Sequence, residues 1–508
     1  MHMRRRVALL LVIILGIGML CGCNTPAGSE SPSASVTDPG SVEQVPMSDG
    51  FGLPYTKEKY FDPLTTESAL NVYLAPLIYQ SLYVIETDMK AVPQVAAEYA
   101  LSDATLRITL RGDVVFHNGT VLTAEDVVYS FKRIQNNPES PYYAEVSPVA
   151  DCRAEDNGTV IFILAETTVD WRTCLTFPIV RRDTGKNSDA VGSGPYALRT
   201  AEGSRYLSAV GGDSRPQDLP FSRINLVPVS DLDGMVKAFE TGNIDCMAVD
   251  VLSVRSFMPV CSYSIQSAPS GIGNILLFNT KRGKLSNADI RNALSALLPR
   301  REICANALSG AADPTSDWID GGLVTDMSET ERETALAVLA AAEMIATEDH
   351  EGVTLRLLYC DDLWQRTEEA REISAWLSDL GIGCELVGKS YEAYTDARKA
   401  GDFDLCLYRR RLRSTSDLAA LVFADGDDNV TGYKNAEAEA ELTVLLQASE
   451  DTADEAAAEV SRLISADAPF AVIGYENTRV YFRDGQIRNF NPRPDSPYGN
   501  PAEWELAE

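Results

Sequence analysis

The sequence predicts an α/β protein with more than one lobe, and two observations lead to this prediction. First, strand-like and helix-like patterns mix along the chain from residue 61 to residue 482, which indicates α/β architecture. Second, the 508 residues are 45% hydrophobic and 23% charged, which is a globular composition. A chain of this length exceeds what one hydrophobic core organises, so we expect two or three lobes.

Capping and turn residues mark the first elements of the body. Thr65-Thr66-Glu67-Ser68 can cap a helix over 69–82, whose apolar residues recur at helical spacing. Residues 106–110 alternate between apolar and polar types and predict a strand. Asn118-Gly119 predicts a tight turn. The acids of Thr123-Ala124-Glu125-Asp126 then favour the start of a further helix.

The later elements continue the same mixture of strands and helices, and we find no internal repeat. Further helices are predicted over 232–240, 288–298, 329–346, 367–380 and 436–465. Further strands are predicted over 160–164, 224–229, 275–278, 354–359, 384–387, 403–408, 470–475 and 480–482.

The amino-terminal segment resembles the signal peptide of a bacterial lipoprotein. Arg4-Arg5-Arg6 precedes an apolar run over 7–20, which is shorter than the roughly 20 residues of a spanning helix. Leu20-Cys21-Gly22-Cys23 follows, so we expect Cys23 to carry a lipid that anchors the chain outside a cytoplasmic membrane. Residues 1–22 are then the signal peptide, and the Pro-, Ser- and Gly-rich residues 23–49 are a flexible linker. The alternatives are an ordinary secretory peptide and an uncleaved signal anchor.

The charge and the motif content exclude several functional classes. A formal net charge of −30 argues against nucleic-acid binding and against adsorption to an anionic bilayer. It is compatible with a preference for cationic ligands or with a solvated acidic surface that maintains solubility. No hydrolase elbow, His-Glu-x-x-His motif or phosphate loop occurs. Gly192-Ser193-Gly194-Pro195 has a proline where a nucleophilic elbow needs glycine. We therefore expect that the protein is not an enzyme.

The cysteines and histidines predict core thiols and no metal site. Eight of the ten cysteines lie beyond Cys23 at wide spacings without a Cys-x-x-Cys motif. We expect most to be buried thiols, with Cys152–Cys174 as the pair that forms a disulfide if one forms. The three histidines have no zinc-site spacing to a cysteine.

Several motifs, in a fixed order, resemble those of one protein family. Phe61-Asp62-Pro63-Leu64 and Ile78-Tyr79-Gln80-Ser81-Leu82 resemble its opening motifs, and residues 106–134 resemble its most specific block. Later resemblances lie at 192–196, 238–245, 277–280, 289–294, 380–385 and 401–405. The chain thus resembles, over roughly residues 51–500, the extracytoplasmic solute-binding proteins of peptide and nickel ABC importers (the oligopeptide/dipeptide-binding proteins, family 5).

The resemblance implies a two-lobed periplasmic-binding-protein fold of class II type with an extra inserted domain. Domain I would comprise 50–90, 192–270 and 478–508, the inserted domain II 91–191, and domain III 271–477. The lobes would close on a peptide or related solute and present it to membrane permease subunits, as a monomer and without a cofactor. A peptide-sensing lipoprotein without an import role is the alternative, and a surface hydrolase is a third class. A nickel-chelate or haem ligand ranks low, because the resemblance puts His117 in domain II as a turn or packing residue.

The resemblance also implies cleft residues, and here the chain departs from the family pattern. Peptide-binding relatives carry a Trp-x-x-Asp element whose aspartate pairs with the ligand amine; Arg410 and Arg413 fall on those two positions. Arginines favour carboxylate or phosphate, so we expect an anionic or carboxylate-rich solute. The alternative is that the arginines face solvent or pair with acids of the chain. A further alternative is that Asp417 takes the place of the missing aspartate and anchors an amine after a small loop shift. The expected ligand-binding residues are Tyr79, Gln80, Ser81, Gly273, Asn274, Tyr408, Arg409, Arg410, Arg411, Arg413 and Asp417.

Overall fold

The computed structural model describes residues 50–506, except 88, 166–169, 212–218, 251–258, 317–323, 325, 413, 449 and 495. The predicted signal peptide, linker and lipidation site Cys23 lie outside the described residues, as does Arg413. Strands and helices mix along the described chain, so the predicted α/β class is confirmed.

The strands are numbered in chain order. They are β1 (Phe51–Tyr55), β2 (Tyr83–Ile85), β3 (Ala91–Pro93), β4 (Ala96–Ser102), β5 (Thr105–Leu110), β6 (Val149–Ala154), β7 (Thr159–Leu164), β8 (Tyr196–Ala201), β9 (Ser204–Ala209), β10 (Arg223–Pro228), β11 (Cys246–Asp250), β12 (Tyr263–Phe278), β13 (Ala312–Pro314), β14 (Thr354–Cys360), β15 (Gly383–Lys389), β16 (Leu405–Arg411), β17 (Phe470–Arg483), β18 (Ile487–Asn489) and β19 (Glu505–Leu506).

The helices are numbered in the same way. They are α1 (Ala69–Ile78), α2 (Ala124–Gln135), α3 (Tyr143–Val146), α4 (Leu232–Glu240), α5 (Ala288–Leu297), α6 (Arg300–Asn306), α7 (Glu329–Ala341), α8 (Trp364–Asp379), α9 (Tyr391–Lys399), α10 (Thr415–Val422), α11 (Ala436–Leu446) and α12 (Glu450–Asp467). Short 3-10 turns lie at Trp171–Leu175, Gly283–Ser286 and Pro501–Glu503.

Helix starts follow the capping residues in the sequence. Capping boxes precede α2, α7 and α10, each with a Ser or Thr cap and an acid three residues later. The first predicted helix ends earlier than expected, at Ile78, because Tyr79 adopts an extended conformation. The single helix predicted over 436–465 is wrong: it is the pair α11 and α12.

The strands form separate sheets whose order positions the cleft described below. One sheet has the order β1-β10-β9-β8, and a second has the order β4-β5-β7-β6. The largest sheet has the order β11-β17-β12-β16-β14-β15, with β13 also paired to β17. Within it β12 and β17 are long antiparallel partners of 16 and 14 residues, and only their ends were predicted as strands.

Side chains of the largest sheet alternate between two buried clusters. Leu276, Phe278, Leu405 and Leu407 contribute to one cluster, and Ile275, Leu277 and Cys406 contribute to the other. This two-sided burial is the pattern of a sheet covered by helices on both faces. The predicted domain boundaries at 270/271 and 477/478 fall within β12 and β17. The three-domain division stays a prediction.

The expected buried thiols are present, and the candidate disulfide between Cys152 and Cys174 is not formed. Cys152 on β6 and Cys174 in the 3-10 turn are both free thiols, and both are buried. Burial raises the pKa of the Cys152 thiol and raises the pKa of Cys174 to about 12, so neither thiol ionises readily. In the described part of the chain, no helix has the length and apolar character of a membrane span.

Candidate functional site

A cavity of about 340 Å³ lies where distant parts of the chain meet. The end of α1 and the residues after it supply Tyr79, Gln80 and Ser81. The long strand β12 supplies Ser270 and Ile272. Tyrosines, prolines and aliphatic residues form much of the remaining wall: Tyr73, Tyr83, Tyr142, Pro76, Pro141, Pro178, Val72 and Val84. Rigid apolar walls with a few polar groups are typical of small-molecule sites.

Hydrogen bonds fix the segment that follows α1. The Tyr79 hydroxyl donates to the Ala190 carbonyl over 3.1 Å, and the Ser81 hydroxyl donates to the Thr176 carbonyl over 2.8 Å. Burial raises the pKa of Tyr79 well above its ordinary value, so this phenol stays protonated. The Gly194 backbone N–H donates to the Ile78 carbonyl over 2.8 Å, which packs the Gly-Ser-Gly-Pro turn against the end of α1. This contact gives the turn a structural role.

An irregularity in β12 presents Ser270 and Ile272 to the cavity. The pairing of β12 with β17 shifts register between Pro269 and Gly273, and Gly271 has a φ of +67°, which glycine adopts without strain. The Ser270 hydroxyl donates to the Glu476 carbonyl over 2.8 Å.

The predicted arginine run divides between the two faces of β16. Successive side chains of a strand point to opposite faces. Tyr408 and Arg410 both contact Asp428 on one face; the Tyr408 hydroxyl donates to this carboxylate over 3.1 Å and Arg410 forms an ion pair with it. Arg409 and Arg411 point the other way and contact different acids. The arginines are adjacent in the sequence, but in the structure they do not form a single charge cluster.

Arg409 belongs to a buried polar network on the α8 side of the sheet. Its guanidinium donates to both carboxylate oxygens of Glu476, at 2.6 to 3.0 Å. Arg366 of α8 contacts the same carboxylate at 3.5 Å and donates to the amide oxygen of Asn274 over 2.5 Å. The Asn274 side chain, on β12, is fully buried. We therefore assign Asn274 a structural role within the core that surrounds β12.

Glu369 completes this network and titrates abnormally. It forms an ion pair with Arg366, and its side chain is fully buried. Burial raises the pKa of Glu369 to about 7; Arg366 opposes this shift, and the nearby Glu476 carboxylate adds to it. One Glu369 oxygen, Oε1, has no hydrogen-bond partner among the described protein atoms.

Arg411 is the described arginine of the run that reaches the cavity. It lines the 340 Å³ cavity and a neighbouring cavity of about 210 Å³, and it forms an ion pair of 2.9 Å with Glu145 of α3. Close by, the Thr415 backbone N–H at the start of α10 donates to the Asp170 carboxylate over 2.6 Å. Burial raises the pKa of Asp170, although hydrogen bonds from the backbone and side chain of Thr415 oppose the shift. Asp417 lines the smaller cavity and forms the capping box of α10 with Ser414.

The structure therefore brings together part of the predicted set. Tyr79, Gln80, Ser81 and Arg411 line the larger cavity, and Asp417 lines the smaller one. Five of the predicted residues line neither cavity: Gly273, Asn274, Tyr408, Arg409 and Arg410. Arg413 lies outside the described residues, and the ligand role of all these residues stays a prediction.

Sequence reasoning missed several cavity residues. Tyr142 and Glu145 lie in a segment without a motif, and Arg493 and Ser496 lie in a proline-rich stretch near the carboxyl terminus. The only sequence signal was that stretch, in which polar residues alternate with prolines over 491–501.

A larger and more open recess of about 570 Å³ surrounds Asp62 and Arg133. These two residues form a buried ion pair, with side chains 5% and 10% exposed. We assign this recess a structural role, because its buried charges, Asp62 and Arg133, are paired with each other and its walls come from segments between residues 62 and 186. Among the described residues, no group of three or more acidic, Cys or His side chains could hold a metal ion.

Comparison with known families decides the class of protein. The family model of the bacterial extracellular solute-binding proteins, family 5 (middle region), matches residues 90–431, which is more than half of the chain. The chain belongs to this family. The family 5 protein is thus a solute-binding protein. The predicted family is confirmed, and so is the prediction that the protein is not an enzyme.

Relatives agree with this assignment. The chain is 22% identical over 437 residues to the periplasmic murein peptide-binding protein MppA of Escherichia coli, covering 77% of this chain and 80% of that protein. It is 21% identical over 372 residues to the nickel-binding periplasmic protein of the same organism, covering 66% and 71%.

Solved structures agree on the fold. The unliganded open form of the MppA murein tripeptide-binding protein matches with a TM-score of 0.74 and 18% identity, over 91% of this chain and 98% of that one. A nickel ABC transporter structure from Bacillus halodurans matches with a TM-score of 0.74 and 18% identity, over 90% and 99%. The predicted two-lobed periplasmic-binding-protein fold is confirmed.

Proposed function

We propose that this protein is the lipid-anchored solute-binding component of an ABC importer, and that its lobes close on a peptide or a related solute. The observation that carries the proposal is the 340 Å³ cavity, whose walls come from the end of α1, from α3, and from β12 and β16. A site assembled from such distant segments suits capture by closure, because movement of either side opens it.

The chemistry of the walls suits an amphipathic solute such as a short peptide. Tyrosine rings and prolines offer rigid apolar contact, while Gln80, Ser81 and Thr176 offer amide and hydroxyl groups. A volume near 340 Å³ is at the lower end of the range of about 300–1,000 Å³ for small-molecule pockets. A solute of a few residues fits this description better than a long oligopeptide.

Among the arginines of the run that the structure describes, the anionic-solute hypothesis now depends on Arg411. Arg409 and Arg410 are engaged with Glu476 and Asp428, which supports the alternative that these arginines serve the fold. A carboxylate on the solute would compete with Glu145 for the guanidinium of Arg411. Calorimetry with peptides whose amino terminus is free or acetylated tests the hypothesis. Equal binding of both forms supports recognition through the carboxylate; a strong loss on acetylation contradicts it.

The membrane anchor and the permease are further parts of the proposal. We expect the mature amino-terminal peptide to begin at Cys23 and to carry a lipid, which mass spectrometry of the native protein detects. Replacing Cys23 by serine should move the protein from the membrane to the soluble fraction; unchanged membrane association contradicts the anchor.

Measuring uptake of the solute by cells distinguishes the proposed import role from the sensing alternative. We expect cells that lack this chain to lose uptake of the labelled solute, because the permease receives it from the closed protein. If uptake continues while a transcriptional response to the solute disappears, the sensing alternative is correct.

A further inference from the structure

The larger and the smaller cavity meet at the Arg411–Glu145 ion pair. Both cavities are lined by Glu145 and Arg411, together with Ile85 and Thr176. The two charged groups are 2.9 Å apart and come from α3 on one side and the end of β16 on the other. The larger cavity contains several tyrosines and prolines, and the smaller cavity combines hydroxyl groups and Asp417 with apolar residues such as Met89 and Pro148. The pair thus stands where the two cavities join.

Neighbouring contacts hold both partners in place. Arg411 is opposite Ile272 in the β12–β16 ladder, and the next residue, Leu412, donates its backbone N–H to the Gly271 carbonyl over 2.8 Å. On the other side the Glu145 side chain is only 18% exposed. The 2.6 Å hydrogen bond from Thr415 to Asp170 joins the same two parts of the chain. The Glu145 side of the pair is therefore enclosed by protein, unlike an isolated surface ion pair, whereas the Arg411 side chain is 43% exposed and also contacts solvent.

We propose that the Arg411–Glu145 pair is a partition that determines the length of solute that the cleft accepts. A solute confined to the larger cavity leaves the pair intact. A longer solute must separate the two groups, and the largely buried Glu145 carboxylate then loses its ion pair with Arg411. This inference rests on the proposed function, because it concerns the solute of the same cleft.

Free alanine peptides of two to five residues test the partition, because they share the same terminal charges and differ in length. Calorimetry compares the wild type with the double variant Glu145→Gln/Arg411→Met, which removes both charges together. The matched control is Glu155→Gln/Arg107→Met, which removes an ion pair of similar length, 2.6 Å, whose side chains are 41% and 47% exposed. If the cleft variant fails to fold, Glu145→Gln alone replaces it.

We expect the wild type and the control to lose about fivefold in affinity between the shortest and the longest bound peptide. The cleft variant should bind all lengths within about twofold. A cleft variant with the length dependence of the wild type, or a wild type that binds all lengths equally, overturns the partition alone. If the wild type binds no peptide of the series, the proposed peptide function fails first and the partition fails with it.

Discussion

Replacing Glu369 by glutamine should remove a specific dependence of stability on pH. The carboxyl of Glu369 is fully buried beside Arg366, under the strands that carry Asn274 and Arg409. Its pKa in the folded protein is raised to about 7 from an ordinary value of 4.5, with burial as the main cause. The glutamine has the same size and can still accept a hydrogen bond from Arg366, but it does not titrate.

The sign of the effect follows from the direction of the shift. Because the folded state holds the proton more tightly than the unfolded state, the free energy of unfolding rises as the pH falls through about 7. Proton linkage with these two pKa values gives a rise of about 2.5 kcal/mol between about pH 8 and about pH 5. Carboxyl groups remote from Glu369 titrate equally in the variant, so their contributions cancel in the difference between the two proteins.

Urea unfolding followed by tryptophan fluorescence, at several pH values, measures this difference. The free energy of unfolding of the wild type minus that of Glu369→Gln should increase by about 2.5 kcal/mol from about pH 8 to about pH 5, whatever its starting value. Glu368→Gln is the control on the same helix, because the Glu368 side chain is 37% exposed. A difference that stays constant over this pH range would refute the assignment of Glu369 as a buried, protonatable group.

Two further predictions concern the first part of the chain. Replacing Arg133 by methionine leaves the Asp62 carboxylate buried without its charged partner, so the free energy of unfolding should fall by about 3–5 kcal/mol. Urea unfolding measures this change. A loss below about 1 kcal/mol contradicts the prediction. Replacing Gly194 by alanine puts a methyl group 2.6 Å from the Ile78 carbonyl carbon, so we expect a lower melting temperature and weaker peptide binding. Gly112→Ala is the control, because its new methyl group meets no described atom within 4 Å. Equal melting temperatures and equal peptide binding of the two variants would contradict the packing role of Gly194.

The sequence predicted most elements of the fold because their signals are local. The helix start predicted at Thr123-Ala124-Glu125-Asp126 and the alternating strand predicted over 106–110 appear in the structure as the start of α2 and as β5. The polar first half of β12 was missed, because its serines, Gln266 and a proline do not show the apolar alternation of a strand. That half is stabilised by pairing with β17, which lies some 200 residues later and leaves no local signal.

The candidate site was predicted only in part for the same reason. Tyr79, Gln80 and Ser81 were found because they follow a recognisable helix end. The partners of the arginines could not be predicted: Glu145 and Glu476 lie 266 and 67 residues away from Arg411 and Arg409. Which arginine reaches the cavity is determined by strand alternation, and that depends on the register of β16 against β12.

Filling the cavity tests most directly whether this cavity holds the solute. Ile272→Trp places a large side chain in the wall of the cavity, whereas Ile265→Trp changes an exposed residue of the same strand. Mass spectrometry should identify the same solute released from the wild type and from Ile265→Trp, and little or none from Ile272→Trp. Equal amounts released from all three folded proteins would contradict the claim that this cavity is where the family 5 protein holds its solute.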